Sequence, residues 1–450
     1  LRALPRPQRA RPGGDRATRL PGAAQPAPAT PAPGRGPAFL PGDPRRLRRY
    51  VCLRQPGARG RALGDHRLHS QPAVEPQRAP GRRAPGPPAA SRHRGGITMT
   101  RALVIVAVAG LLLTGLGALL DGAAFLRAWL VAALTGIALP LGAMAILMTH
   151  NLTGGQWGEP VRAPLKAVVA TLPLMLVLFL PLLMGVRVLF AWTGDLSGLP
   201  EVVRPKGFYL NPPFFYARFA LYAVIWLTLA ARLSVWRGDR RSTPASAGGL
   251  VLWALTTTFF AFDWIMSLEP AWYSDILGLI FMGSALSMAL ALPFLLPGVY
   301  PDADRRPALE GARRDLAHLW LAAILFWVFV AFSQYLIIWS GDLPHEIRWY
   351  AHRGQGGWQW LALAMMTLCG ALPFAALLPA GWKRRARPLA VLAALVLLGH
   401  ALEFAWLVLP AYYPHHWPPG WRSPVALLTV AALGLLLIHR HRLRHAEDTP

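Results

Sequence analysis

Residues 248–268 read GGLVLWALTTTFFAFDWIMSL, twenty-one positions with a single ionisable side chain, Asp263. At 1.5 Å per residue a helix of this length covers about 30 Å, the thickness of a bilayer's hydrocarbon core. The run is apolar on every face, unlike the one-sided stripe of a soluble amphipathic helix. It reads as a membrane span that carries one acid at depth.

The same pattern of about twenty apolar residues bounded by polar turns recurs on both sides of it along the chain. It predicts spans near 101–120, 128–149, 165–190, 214–234, 248–268, 274–297, 316–339, 358–380, 387–409 and 424–439. The first opens Met99-Thr100-Arg101 and has no small-x-small cleavage site before Asp121, so it reads as an anchor and not a signal peptide. The expected fold class is all-α integral membrane, with ten transmembrane helices over 99–450.

Residues 1–98 break the pattern. They hold 20 Arg, no Lys and four acids (Asp15, Asp43, Asp65, Glu75), which is +16 of the chain's formal charge of +25. An Ala/Arg/Pro/Gly mixture without an apolar period cannot bury enough surface to offset chain entropy, so this segment is expected to be a disordered tail. Arginine without lysine resembles translated GC-rich DNA upstream of a start codon, which places the expected start at or near Met99. The alternative is a solvated basic cytoplasmic tail that touches anionic lipid.

Basic residues in the loops set the orientation. Arg162, Lys166, Arg232, Arg237, Arg240, Arg241, Arg305, Arg306, Arg313, Arg314, Lys383, Arg384, Arg385, Arg387, Arg440, Arg442 and Arg444 fall on one side of the alternation. The other side carries only Arg127, Arg204, Lys206, Arg348, Arg353 and Arg422, with Arg187 at a span end. The positive-inside rule then puts both termini in the cytoplasm, which requires an even number of spans.

Ionisable groups at bilayer depth are costly and mark ion or substrate paths. Counting from the span ends, Asp263 in span five, Gln334 and Tyr335 in span seven, His400 and Glu403 in span nine, Arg218 in span four and Arg187 in span three all fall in the outer half. His400 and Glu403 share one helix face at i and i+3. Such a group suits a proton relay or a quinol head group, with interhelical hydrogen bonding as the bland reading of any one member. His150, Asn151, Asp315 and His318 sit at inner span ends, where capping is the expected role.

Several chemistries are excluded. Cys52 and Cys369 are too few for a four-thiolate cluster, no C-x-x-C-H haem site exists, and a haem b pair would need a second deep histidine besides His400. No phosphate-binding glycine loop is present. One internal echo stands out: in FDWIMSLEP and LEFAWLVLP an acid precedes a proline by seven residues with tryptophan between, four spans apart. That is the pattern of two parallel four-helix repeats, spans two to five and six to nine.

The run Asp263-Trp264-Ile265-Met266-Ser267-Leu268-Glu269-Pro270-Ala271-Trp272-Tyr273-Ser274 resembles the NrfD-type membrane subunits of alternative complex III, a quinol:cytochrome c oxidoreductase, in particular the second of its two large ones, the F subunit. Phe332-Ser333-Gln334-Tyr335, Ile338-Trp339, Leu343-Pro344-His345-Glu346 and Leu152-Thr153-Gly154-Gly155-Gln156-Trp157-Gly158 are similar to further blocks of it. The resemblance implies two four-helix bundles with two flanking helices in a bacterial inner membrane and no redox centre in this chain. It also implies a homologous NrfD-type partner, iron–sulfur and cytochrome c subunits that carry clusters and haem c, and a part in proton translocation or quinol binding. Asp263, Ser267, Glu269, Trp272, Tyr273, Gln334, Tyr335 and Glu346 fall on its motifs, while His345 stands in place of an acid and Glu403 in place of aspartate. Asp263, His400 and Glu403 are therefore the candidate proton relay. Arg218, Glu269, Trp272, Tyr273, Gln334 and Tyr335 are the candidate quinol contacts, and no metal site is expected. Competing readings are a structural scaffold without chemistry of its own and a secondary transporter. Against the latter, the spans show no pair of unwound, Gly/Pro-broken helices at the midplane.

Overall fold

The computed structural model describes residues 89–447 apart from 195–197, 199, 236–242, 297–298, 301–305 and 419. The expected tail up to residue 88 lies outside the described residues, as do Arg237, Arg240, Arg241 and Arg305. Among the described residues there is no strand. Ten helices of the described residues are long and apolar enough to cross a membrane: Thr98–Leu120, Gly122–Thr153, Gln156–Met184, Pro212–Arg232, Pro244–Leu268, Leu277–Leu295, Pro307–Gly341, Trp358–Leu377, Ala386–Ala411 and Arg422–Arg444, called spans one to ten. Each overlaps its counterpart read from sequence. The first helix runs back to Ala89, inside the segment expected to be a tail.

Helix starts follow from local chemistry. Asp121 caps span two by accepting from the Ala124 amide at 3.0 Å, and Asn211 caps span four by accepting from Phe214 at 3.0 Å. Prolines 212, 307 and 344 open their helices where no amide hydrogen is needed.

Span three corrects the sequence reading. It was expected as one helix over 165–190, but it begins earlier and runs as Glu159–Val169, Leu172–Val177, Leu180–Met184 and Val186–Leu189. Pro173 and Pro181 remove amide donors. The joints tighten instead, Thr171 donating to the Val168 carbonyl and Phe179 to Leu176. These are kinks within helical backbone, not the unwound segments of a transporter site. Span eight carries a π-turn at Thr367–Ala371, which packs against span nine.

Packing centres on spans two and six, whose most apolar stretches are 89% and 83% buried, against 22% for span one. The two meet at small residues. A Cβ on Gly142 would overlap the Ala285 carbonyl and stand 3.0 Å from the Ala289 Cβ, so glycine sets how closely the helices approach. Span two also packs on spans three and five, and span four on three and five; span six packs on seven and nine, and span eight on the same two. Spans one and ten lie against each other beside span two. Gly142→Leu is expected to cost at least about 1–3 kcal/mol of stability by overpacking, seen as a lower midpoint in thermal aggregation. Gly115→Leu, where nothing lies within 4 Å, should leave the midpoint unchanged.

Candidate functional site

The two deep acids occupy separate clusters. Asp263, on the last turn of span five, is 1% exposed. Arg218 of span four grips it from the side, with Nε at 3.1 and 2.9 Å from the two carboxylate oxygens and Nη2 at 2.7 Å from Oδ1. The Tyr222 hydroxyl donates to Oδ2 at 2.8 Å. Arg218 in turn donates to the Tyr209 carbonyl at 2.9 Å and lies over the Tyr209 and Phe214 rings at 3.7 and 4.4 Å. Guanidinium is a donor only, so it can hold a carboxylate but cannot take its proton. Ser267 donates back to the Asp263 carbonyl and steadies the end of the helix.

Glu403 sits in a different chemistry. It is 2% exposed in span nine and receives Trp327 Nε1 of span seven on Oε1 at 2.7 Å. Its Oε2 lies 2.7 Å from His400 Nδ1 and 2.8 Å from the Ser284 hydroxyl of span six. The indole is a donor only and keeps Oε1 as an acceptor. Imidazole nitrogen and hydroxyl can each give or accept a hydrogen bond, so Oε2 is satisfied both with and without a proton. In the protonated state Oε2–H donates to Ser284, whose hydroxyl is 2.9 Å from the Ile280 carbonyl and can donate there. His400 is fully buried, its ring edge-on to Trp327 at 5.4 Å, and its Nε2 has no hydrogen-bond partner.

No hydrogen bond among the described residues joins Asp263 to the His400–Glu403 pair. The rings of Phe260, Phe281 and Phe404 stand in series between the two helices, at 5.7 and 5.5 Å. The three candidate relay residues are thus one carboxylate held by a buried guanidinium and one acid–histidine pair, not a single chain.

Just beyond the C-terminal end of span five, Glu269 binds Arg353 Nη2 at 2.8 Å, with His352 Nδ1 3.6 Å away. Arg353 also donates to the carbonyls of Trp406, Leu407 and Trp349 at 3.1, 2.9 and 3.0 Å. One guanidinium thereby ties span five, the helix Pro344–Arg353 and the end of span nine together. Burial pulls the Arg353 pKa below its ordinary value, and Glu269 opposes that shift. Trp272 stacks on Trp349 at 4.4 Å. Gln334 accepts from Ser274 at 2.6 Å, and the hydroxyl that caps span six is thereby fixed. Tyr335 is exposed and meets Tyr350 edge-on at 5.4 Å, where both line a groove of about 630 Å³ with Ile338, Trp339 and Asp342. Burial raises the Tyr350 phenol to about 12. Tyr273 is exposed, and its hydrogen bond to Glu346 raises its pKa. Arg187 is exposed and joins neither cluster.

Tyr222, Ser284, Trp327 and Arg353 are contact partners of the candidate residues that sequence reading missed. Arg353 looked like one more loop charge, and Trp327 is one of eighteen tryptophans. Ser284 and Ser287, at i and i+3 in span six, were the one available signal. Arg353→Ala is expected to leave two helix-end carbonyls without a donor and to cost about 1–3 kcal/mol, read as a lower melting midpoint that Arg353→Lys restores only in part. Compared with known proteins, the chain matches no family model and no curated sequence.

Proposed function

We propose that this chain is the proton-handling membrane subunit of a respiratory quinol:cytochrome c oxidoreductase of the alternative complex III type, in a bacterial cytoplasmic membrane with both termini inside. The observation that carries the proton assignment is the contrast between the two acids. Arg218 places a buried cation on both oxygens of Asp263, whereas Glu403 has no such cation among the described residues and its Oε2 faces two groups that both donate and accept. A proton on Oε2 passes to His400 Nδ1 and leaves from Nε2. Ser284 and Glu403 touch, and spans six and nine run in opposite senses. One turn further on, Ser287 and His400 therefore fall at the same level. Ser287 Oγ, like His400 Nε2, is buried without a hydrogen-bond partner.

The residue motifs and the loop charges support the complex and the orientation. The grouping of spans two to five and six to nine as neighbours supports the two four-helix bundles. The groove supports a quinol contact: aromatic walls at Tyr335, Trp339 and Tyr350 suit a ring, and Asp342 offers an acceptor. Quinol bound there would supply two protons and two electrons, the electrons leaving for iron–sulfur and haem c groups of partner subunits. The Arg218–Asp263 pair, fully occupied, favours a structural role for that cluster within the same reading. Purification from native membranes in mild detergent tests the assignment. Iron–sulfur, multihaem cytochrome c and second NrfD-type chains should co-purify; a chain recovered alone, with no haem and no quinol oxidation in its membranes, would overturn it.

A further inference from the structure

A second cavity, of about 420 Å³, lies away from both acid clusters, among spans one, two, three, six, nine and ten. Its wall on span ten is a stripe of Leu427, Val430, Gly434, Ile438 and Arg442, spaced by three or four residues. From Leu427 to Arg442 the stripe rises fifteen residues, about 22 Å. That exceeds half of the roughly 30 Å hydrocarbon core, so one acyl chain can follow it from the interface past the midplane. Met175 and Leu292 face it from spans three and six. Gly434 keeps the passage open, since a Cβ there would stand 3.2 Å from Met175 Cε.

The chemistry changes at the end nearest residue 442. Of the three arginines that close span ten, Arg440 and Arg444 are exposed, whereas Arg442 is half-buried and lines the cavity with His439. An arginine at the mouth of an apolar channel suits a phosphate, which its planar fork binds in two-pronged fashion. Basic pockets between membrane helices take anionic lipid head groups for the same reason.

We infer that this cavity is a binding site for one anionic phospholipid of the cytoplasmic leaflet, its phosphate on Arg442 and one acyl chain in the channel. Charge complementarity at the mouth selects the lipid, and channel length selects the chain. The site is built by flanking span ten together with both four-helix groups, so its occupant seals a seam where their helices meet.

Native mass spectrometry of the full chain, exchanged with phosphatidylglycerol or phosphatidylcholine, tests this. Wild type should retain one phosphatidylglycerol in preference to phosphatidylcholine by about tenfold. Arg442→Gln should abolish that preference, and Arg442→Lys should keep part of it. Ala431→Trp, which intrudes on the channel, should lower retention of both lipids while the melting midpoint stays within the spread of the other variants. Equal retention of the two lipids by wild type, an unchanged preference in Arg442→Gln, or a quinone recovered from the channel in place of phospholipid would each overturn the inference.

Discussion

Replacing Glu403 by glutamine is expected to leave folding and assembly intact and to lower quinol-driven proton translocation about a hundredfold, within the range for losing a positioned proton-transfer group. The amide keeps an oxygen for the Trp327 indole and a hydrogen bond to Ser284, so the cavity around residue 403 stays filled. What is lost is the ability of Oε2 to bind and release a proton. A scaffold subunit would show no change in coupling, and that outcome would remove Glu403 from the proton path. Proton release measured with reconstituted complex in vesicles separates the two.

Asp263→Asn should behave in the opposite way. Arg218 would be left as a buried cation with an amide in place of its carboxylate, and Tyr222 would lose its acceptor's charge. Breaking a buried pair from one side costs about 3–5 kcal/mol, so the expected result is a sharply lower melting midpoint and poor assembly. Arg218→Met combined with Asp263→Leu should recover most of the loss, because apolar groups of similar volume can replace a buried ion pair at little cost. A single Asp263→Asn variant that melts like wild type yet loses coupling would identify Asp263 as a proton carrier and refute the structural role.

The contrast between these acids was half legible in the sequence. Both stood out because a carboxyl group inside an apolar run of twenty residues needs an explanation. Their partners did not, since the bonds to Ser284 and Arg218 reach across 119 and 45 residues and depend on how each helix is rotated about its axis. Helix length and loop charge say nothing of rotation. The spans themselves were readable because bilayer thickness fixes their length. Span three's kinks were written in Pro173 and Pro181, but a count of apolar residues passes over prolines whose lost hydrogen bonds are made good by local tightening. Arg353 illustrates the limit from the other side: a loop arginine is a topological marker by default, and only the meeting of span five, the helix Pro344–Arg353 and span nine turns it into a buried tie.

Infrared difference spectroscopy between the oxidised and quinol-reduced complex tests the proton assignment most directly. A carboxyl C=O band that responds to reduction is expected in wild type, shifted in Glu403→Asp and absent in Glu403→Gln. The same band persisting unchanged in Glu403→Gln would contradict the assignment of the proton to the His400–Glu403 pair.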